Sequence, residues 1–322
     1  MSNPLERIAD FDLTEEQRLV RATVREFGEK ELLPYVEQYE REERYPLEQI
    51  RKLPALGLMG PLIPEQYGGS KSDVVTYGII CEELARADWV VASVVSVSNS
   101  LVAGSILRWG SDAQKEKWLP AIAAGDCICS ACLTEPGGGT DLGNMKTNAT
   151  RVPGGWRING TKVFISHAAH AGLFFLVASI DLAKKHKGVT AFLVDPRASE
   201  GITIGAFPMR TLKRDNVAEV HFKDAFVPES NVLGEPGGGF PVLGSALDMG
   251  RYSVAARCIG QAQRCIDLSI DYAREREAFG QKIGEFQMIQ QKIADMICRT
   301  EGARGVVYRL GRMKDAGIAR AS

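Results

Sequence analysis

The spacing of apolar residues changes twice along this chain, and this change constrains the fold more than any other feature. Apolar positions first recur every three to four residues, as in helices, then form the short β-rich runs of strands, and finally return to the helical spacing. Helical and β regions that follow one another in this way are typical of an α+β protein rather than of alternating β and α units. We therefore predict an N-terminal all-α domain, a middle antiparallel β-barrel domain and a C-terminal helical bundle, incomplete in this sequence, over 1–125, 126–240 and 241–322.

Local signals place some of these elements. Thr14 to Gln17 and Ser111 to Gln114 both have the pattern of a capping box, so each predicts the start of a helix, and the second helix should end near Gly125. Asp88 is predicted to cap the helix that follows it. Val152-Pro-Gly-Gly155 and Asn159-Gly160 are turn signals, and Asn-Gly in particular favours a β-hairpin.

Composition restricts the partners and the compartment. The chain has 39 Lys and Arg against 40 Asp and Glu, so charge alone gives no attraction to nucleic acid or to an anionic membrane. The N-terminus lacks a basic stretch followed by an apolar core, and we find no run of eighteen uncharged apolar residues. These features predict no nucleic-acid or membrane partner and a cytoplasmic location, with the mitochondrial matrix after removal of a transit peptide as the alternative.

The cysteines and histidines give no metal site. The seven cysteines lie in apolar, periodic segments, which suits reduced thiols. Cys127, Cys129 and Cys132 should alternate across a strand, with the first two on one face and the third on the other, and no histidine partner is close in sequence. His167 and His170 are interpreted as loop residues rather than acid–base groups.

The strongest motif is a pair of stretches, Leu133-Thr-Glu-Pro-Gly-Gly-Gly-Thr-Asp141 and Asn159-Gly-Thr-Lys-Val-Phe-Ile-Ser166. The first alone could be a glycine turn between strands. The pair resembles the flavin-binding stretches of the acyl-CoA dehydrogenases, FAD-dependent proteins of the helix–barrel–helix kind. The resemblance implies an FAD site formed by Leu133, Thr134, Gly139, Thr140, Phe164, Ile165 and Ser166.

Within this site the resemblance assigns the hydroxyls of Thr134, Thr140 and Ser166 to the isoalloxazine edge. A hydroxyl can donate to oxidised N5 and accept from reduced N5–H without a change of charge. Phe164 departs from the tryptophan common in the family, so the aromatic face remains and the indole N–H is lost. Ser166 replaces the usual threonine and keeps its hydroxyl.

A second resemblance covers Glu275-Arg-Glu-Ala-Phe-Gly280 and the helix start after Glu285. It implies that Arg276 and Gln287 bind the pyrophosphate and adenine side of the FAD of a neighbouring subunit, so that the protein is a homo-oligomer, in the family usually a tetramer. A guanidinium suits this position because it can hold two phosphate oxygens. The alternative is a solvated helix end.

A third resemblance, at Leu247-Asp-Met-Gly-Arg251, places Asp248 and Arg251 along the acyl-CoA channel, together with Thr140. An i,i+3 salt bridge on a helix is the alternative. The resemblance further implies α,β-dehydrogenation of an acyl-CoA, with hydride transfer to flavin N5 and electrons passed to an electron-transferring flavoprotein. It places the base, a glutamate, in a segment expected after Ser322, and the other position known in the family is Gly250. We therefore assign no catalytic residue, and we expect the chain ending at Ser322 to be inactive by itself.

The stretch from Ser96 to Val102 is nearest to the glutaryl-CoA dehydrogenase branch, but Ala92 stands where that branch has a carboxylate-binding arginine. Without that guanidinium a buried carboxylate is unfavourable, so we predict a short, branched or alicyclic acyl group. Glutaryl-CoA dehydrogenase, an acyl-CoA oxidase that uses O2, and a non-catalytic acyl-CoA-binding protein are the alternatives.

Overall fold

The computed structural model describes residues 13–318, which form two compact units. The helical unit comprises 13–36, 73–92 and 252–318, and the β unit comprises Glu37–Ser72 and Ser93–Arg251. The N-terminal segment from which we inferred the compartment, up to residue 12, and the last four residues lie outside the described part.

Several helices begin at residues whose side chains cap them. Thr14 and Ser111 both form the predicted capping boxes, in which the side chain accepts from the amide three residues on and the glutamine there accepts from the cap's own N–H. Asp88 also caps as predicted, since its Oδ1 accepts from the amide of Val90 at 2.8 Å. The helices are α1 Glu15–Phe27, α2 Leu33–Arg41, α3 Leu47–Ile50, α4 Val74–Ala87, α5 Trp89–Ser96, α6 Gly104–Trp109, α7 Asp112–Ala123, α8 Gly239–Glu275 and α9 Gln287–Asp315, with π-helical turns at Gly28–Leu32 and Val97–Ala103.

Two glycines accommodate one tyrosine in the core of the helical unit. Tyr252 is fully buried, and its hydroxyl donates to the carbonyl of Val74 at 2.9 Å. A Cβ placed on Gly311 would lie 2.6 Å from the Tyr252 hydroxyl oxygen, and one on Gly78 would lie closer still. The backbones of α4 and α9 can therefore approach this ring only because both positions lack a side chain.

A charged network is buried in the same unit. Arg304 Nε lies 2.9 Å from Glu82 Oε1, the Tyr308 hydroxyl donates to Glu82 Oε2 at 2.8 Å, and Arg21 donates to the Tyr308 oxygen at 2.6 Å. Burial raises the pKa of Glu82, opposed by the charge of Arg304. Such buried groups are tolerated because each is held by opposite charge or by hydrogen bonds.

The β unit contains one eight-stranded sheet. Its strands are β1 Cys129–Cys132, β2 Asn148–Val152, β3 Gly155–Ile165, β4 Leu173–Ser179, β5 Val189–Val194, β6 Ile202–Ala206, β7 Ala218–Pro228 and β8 Val232–Leu233. Their order in the sheet is β6-β7-β3-β2-β4-β5-β8, with β1 paired to β4. Most pairings are antiparallel, but β1 pairs β4 in parallel and β2 pairs β4 in parallel through one residue pair. The middle β domain is thus confirmed, with these parallel pairings as the departure from a purely antiparallel sheet.

One predicted hairpin is wrong. The turn at Val152 to Gly155 joins β2 to β3 as expected, but Asn159-Gly160 lies inside β3, where the register against β7 shifts. Gly160 has φ 148°, and a Cβ there would lie 2.5 Å from the Thr147 hydroxyl oxygen. Glycine is required here by a bulge and a close neighbour rather than by a hairpin turn.

The cysteines of β1 and its approach lie as predicted. Cys127 and Cys129 belong to the core that the sheet shares with helical segments, whereas Cys132 belongs to the core on the other face. Within residues 13–318 no group of three His, Cys, Asp or Glu side chains is placed to hold a metal ion.

The run Trp89–Trp109, which includes α5, a π-helical turn and α6, is long and apolar enough to cross a membrane by length and composition. Of its most apolar window, 78% is buried inside the protein. A helix in the core of a soluble protein satisfies the same two criteria, so this run carries no argument for a membrane partner.

Within the run Trp89–Trp109, Asn99 lies in the π-helical turn and donates to the carbonyls of Met59 and Val95 at 3.0 and 2.9 Å.

Candidate functional site

The two stretches singled out in the sequence meet in the β unit. The first leaves β1 at Leu133, and the second is the end of β3. The amide of Val163 donates to the carbonyl of Thr134 at 2.9 Å, and Lys162 Nζ donates to the carbonyl of Leu133 at 3.0 Å. Residues about thirty positions apart in sequence are thereby held side by side.

A buried ion pair fixes this junction. Lys162 is completely buried, and its Nζ lies 2.9 Å from Glu135 Oε1. The Glu135 carboxylate also accepts from the amides of Lys146 and Thr147, at 2.6 and 3.0 Å. Neither Glu135 nor Lys162 was predicted as a site residue. The available signal was that each is a charged residue within an otherwise apolar or glycine-rich stretch.

The pKa directions follow from burial and pairing. Burial by itself would raise the pKa of Glu135, but the charge of Lys162 and three hydrogen bonds outweigh it, so the pKa lies below the ordinary value. Burial lowers the pKa of Lys162, and Glu135 opposes that effect. Removing either member would leave the other as a buried group without its counter-charge.

The glycines after Glu135 form an exposed and unobstructed turn. Glu135 and Gly138 exchange backbone hydrogen bonds of 3.0 and 3.1 Å, and a Cβ on Gly137 or Gly138 would meet nothing within 4 Å. A Cβ on Gly139 would approach the Thr134 side chain at 3.1 Å, and Thr140 is exposed. Amides on such a turn can be approached closely by a ligand.

Phe164 is held in a strained conformation beside this turn. Its φ is 59°, and the register of β3 against β7 shifts between Lys162 and Ile165. The bulge turns Phe164 outward, so that 57% of it is exposed, while Ile165 is buried. Its ring lies 4.6 Å from that of Phe207. A left-handed conformation in a bulky residue is unfavourable, and such strained residues often occur at ligand-binding sites.

Ser166, one of three hydroxyls that the resemblance places at the isoalloxazine edge, is half-buried and already hydrogen-bonded. Its hydroxyl donates to Asp215 Oδ2 at 2.9 Å, and its carbonyl accepts from the Ser130 hydroxyl at 2.7 Å. Asp215 is buried. No sequence pattern indicates Asp215, because it is 49 positions from Ser166 and belongs to the loop before β7.

The description of His167 as a simple loop residue is incomplete. His167 does lie in a turn, with φ 65°, but it is completely buried. Its Nδ1 lies 3.3 Å from Asp215 Oδ1 and 3.1 Å from the Tyr45 hydroxyl. His170 stacks on Tyr45 with ring centroids 4.0 Å apart. Both histidines are therefore parts of a polar cluster behind Ser166.

The residues predicted for the acyl-CoA channel lie on α8, in the part that belongs to the β unit. Asp248 is half-buried and Arg251 is exposed. Gly250, between them, is buried, and a Cβ there would lie 2.7 Å from the Leu101 side chain. The position that could have held an alternative base is therefore closely packed.

The residues predicted to reach a neighbouring subunit belong to the helical unit. Arg276 follows the end of α8 and Gln287 begins α9, and both are exposed. Between them β9 Glu277–Ala278 and β10 Gln281–Lys282 form a hairpin, at whose tip Phe279 is 98% exposed.

A glycine turn open to a ligand, hydroxyl side chains on both stretches and an outward-turned aromatic ring fit a planar cofactor. Combined with helical, β and helical segments along the chain, they define a flavoprotein of the helix–β–helix class. Family models agree along nearly the whole sequence: they describe the acyl-CoA dehydrogenase N-terminal domain at residues 14–126, the middle domain at 130–225 and the C-terminal domain at 237–321. The chain belongs to the acyl-CoA dehydrogenase family, whose members are FAD-dependent flavoproteins.

Relatives and solved structures give the same family. The mitochondrial short-chain specific acyl-CoA dehydrogenase of Mus musculus is 38% identical over 305 residues, which are 94% of this chain and 74% of the relative. Butyryl-CoA dehydrogenase from Megasphaera elsdenii is 35% identical with a TM-score of 0.92, over 97% of this chain and 82% of the other. The glutaryl-CoA dehydrogenase complex with glutaryl-CoA is 34% identical with a TM-score of 0.92, over 95% and 78%. A structure described as an electron transferring flavoprotein of Acidaminococcus fermentans is 34% identical with a TM-score of 0.93, over 97% and 82%.

Proposed function

We propose that this chain binds FAD and an uncharged short, branched or alicyclic acyl-CoA for α,β-dehydrogenation to the 2-enoyl-CoA, with electrons passed to an electron-transferring flavoprotein. The carrying observation is the junction of the two stretches, fixed by the Glu135–Lys162 pair at 2.9 Å. The pair holds the hydroxyl-bearing turn and the strained Phe164 side by side through contacts within the chain itself. Such pre-organisation lowers the ordering cost of binding.

The chain's own groups have distinct tasks in this proposal. When bound, FAD supplies the hydride acceptor, the chemistry that no side chain can provide. Thr134, Thr140 and Ser166 hydrogen-bond its edge, and Phe164 covers part of it with an aromatic face. Amides of the glycine turn after Glu135 approach the ring because no side chain obstructs them.

Proton removal from the acyl group is a separate task. A glycine at position 250 has no carboxylate, and its buried, close-packed surroundings leave little room for a longer side chain. We propose that the base is not supplied by residues 1–322, so that these residues on their own bind the ligands without turnover.

The acyl preference rests on Ala92 and its neighbours in the helical unit. Ala92 is completely buried. The nearby guanidinium of Arg257 lies 3.9 Å from the ring of Trp89 and 3.4 Å from its carbonyl oxygen, and is engaged with that residue. Ala92 itself offers a substrate carboxylate no guanidinium, and burying that charge unpaired would cost several kcal/mol. The short-chain specificity in the names of the relatives supports the same preference.

FAD binding and acyl preference can be tested together. Protein reconstituted with FAD should show a bound-flavin absorbance spectrum, and butyryl-CoA should perturb that spectrum whereas glutaryl-CoA should not. An equal response to glutaryl-CoA would contradict the acyl assignment alone, while absence of flavin binding would contradict the proposed function as a whole. Residues 1–322 should not reduce ferrocenium with either thioester; turnover would show that they contain a base.

Assembly is proposed to complete the flavin site. Arg276 and Gln287 would hold the pyrophosphate and adenine side of the FAD of a neighbouring subunit, since a guanidinium can hold two phosphate oxygens. Replacing Arg276 by alanine should weaken FAD binding by about tenfold or more, the effect of losing one charge-assisted bond of about 1.5–3 kcal/mol. Arg274→Ala, at an equally exposed position two residues earlier, is the matched control. Light scattering should show an oligomer, and a monomer that binds FAD fully would contradict this assignment.

A further inference from the structure

The buried carboxylate of Asp215 lies directly behind the Ser166 hydroxyl. Its Oδ2 accepts the Ser166 O–H at 2.9 Å, and only 6% of the residue is exposed. Burying an ionised carboxylate is unfavourable unless donors compensate for lost water. A neutral side chain could have oriented Ser166 without that penalty, so a carboxyl group at this buried position calls for an explanation.

The hydrogen bond has a defined direction. An ionised carboxylate can only accept, so Ser166 must donate its single proton to Asp215. The Ser166 oxygen is then left with lone pairs alone for any other partner. Where Ser166 is the hydroxyl that meets N5 at the flavin edge, it can accept the proton of reduced N5–H but has none to give to oxidised N5.

We propose that Ser166 and Asp215 form the exit for the proton on flavin N5 when the reduced cofactor is reoxidised. This inference rests on the proposed function. On reoxidation two electrons would pass to two equivalents of an external one-electron acceptor, and the proton on N5 would have to leave. Ser166 Oγ takes that proton as its own proton passes to Asp215 Oδ2, so the serine remains neutral and the carboxylate becomes a carboxylic acid. Asp215 acts on the flavin only through Ser166: it positions the serine hydroxyl and accepts the proton of that hydroxyl.

The surroundings provide a next acceptor. Asp215 Oδ1 lies 3.3 Å from Nδ1 of the buried His167, and the Tyr45 hydroxyl lies 3.1 Å from the same nitrogen. An imidazole nitrogen without a hydrogen can accept a proton, which suits a relay. The adjacent charges are the pair of Arg214 with Glu40, at 3.2 Å, whose opposite signs largely cancel.

The competing explanation is that Asp215 is only structural and holds Ser166 and the His167 turn in place. Asparagine separates the two possibilities, since it has the same shape and can hydrogen-bond Ser166 but cannot take up a proton. A structural role predicts that Asp215→Asn alters FAD binding or stability. A relay predicts that it alters proton release while FAD binding is retained.

The experiment uses the FAD-loaded protein without acyl-CoA, so that no base is needed. The flavin is photoreduced and then mixed with two equivalents of ferrocenium in weakly buffered solution containing a pH indicator. Flavin absorbance and proton release are followed together, in H2O and in D2O. In the unmodified protein the proton should appear in step with flavin oxidation and show a solvent isotope effect.

In Asp215→Asn the proton should appear about 10²-fold later, the lower range of what a positioned proton acceptor contributes. Ser166→Ala should show the same delay. Glu43→Gln, which removes an exposed carboxylate paired with Lys213 at 2.6 Å and leaves the Arg214–Glu40 pair intact, should release its proton like the unmodified protein. FAD affinity, measured by fluorescence quenching, should be preserved in Asp215→Asn.

Proton release by Asp215→Asn in step with flavin oxidation overturns the inference, as does a changed FAD affinity with normal proton release. If Asp215→Asn does not fold, Ser166→Ala decides alone: synchronous release overturns the relay and delayed release supports it. An unmodified protein that does not bind FAD overturns the proposed function, and with it this inference.

Discussion

Replacing Glu135 by glutamine should loosen the junction that orders the flavin stretches. The substitution keeps the size of the side chain but leaves the fully buried Lys162 ammonium without its counter-charge at 2.9 Å. It also turns one of two acceptor oxygens, which now serve the amides of Lys146 and Thr147, into a donor. Breaking a buried pair by removing one partner costs about 3–5 kcal/mol, so the folded β unit should lose stability by about that amount.

The assay is urea unfolding of the apo-protein followed by circular dichroism, with FAD affinity measured in parallel. Because about 1.4 kcal/mol corresponds to tenfold, a local loss of about 3 kcal/mol makes the ordered junction about 10²-fold less populated relative to disordered states. FAD affinity falls only by the resulting decrease in the fraction of protein that is competent to bind. The matched control is Glu229→Gln, which breaks an exposed pair with Arg151 at 3.3 Å and should cost less than about 1 kcal/mol.

A double variant separates the charge effect from the loss of hydrogen bonds. Lys162→Met alone should also be destabilising, because it leaves a buried carboxylate, but Glu135→Gln with Lys162→Met removes both charges. The double variant should therefore be more stable than the sum of the single effects predicts, by about 1 kcal/mol or more. If Glu135→Gln costs no more than the exposed control, the argument that this ion pair orders the site is refuted.

Three further predictions follow from the structure. Gly311→Ala should cost about 1–3 kcal/mol because its Cβ would lie 2.6 Å from the Tyr252 hydroxyl oxygen, and thermal unfolding should show that Tyr252→Phe relieves part of this loss. Phe164→Asn should stabilise the apo-protein by about 1 kcal/mol, since asparagine tolerates φ 59° better, while weakening FAD binding in titrations. The pKa of Glu135 is lower in the folded protein than in the unfolded chain. The stability that its ionised form contributes is therefore complete above the unfolded pKa of about 4.3 and is lost as pH falls through the lower folded value. Urea unfolding at pH 6 and at acidic pH should show this loss, and Glu135→Gln should lack it.

Sequence reasoning succeeded where the determinants are local. The capping boxes at Thr14 and Ser111 need only a hydroxyl and a glutamine three residues apart, and both form. Asp88 caps its helix for the same reason. The alternation of Cys129 and Cys132 between two cores follows from the two-residue period of a strand. The flavin stretches were found because each is contiguous in sequence.

It failed where a residue's role depends on a distant neighbour. Gly160 has the local signal of a hairpin, but its conformation is determined by a bulge and by Thr147. The pairing of Asp215 with Ser166 spans 49 positions and that of Tyr45 with His167 spans 122, and neither has a sequence pattern. Polar clusters of this kind are assembled by the sheet and can be recognised only after it has formed.

The π-helical turn at Val97–Ala103 determines where this helix can tolerate the deletion of a single residue during evolution. Such a turn contains one residue more than an α-helical turn, so losing one codon there would leave an ordinary helix with both flanks in their original register. Losing a codon elsewhere between Trp89 and Trp109 would rotate every later side chain by about 100°. It would thereby displace Trp109, whose indole donates to the Ser245 hydroxyl at 2.9 Å. Among descendants of this sequence, single-residue deletions in this helix should therefore survive chiefly around Asn99.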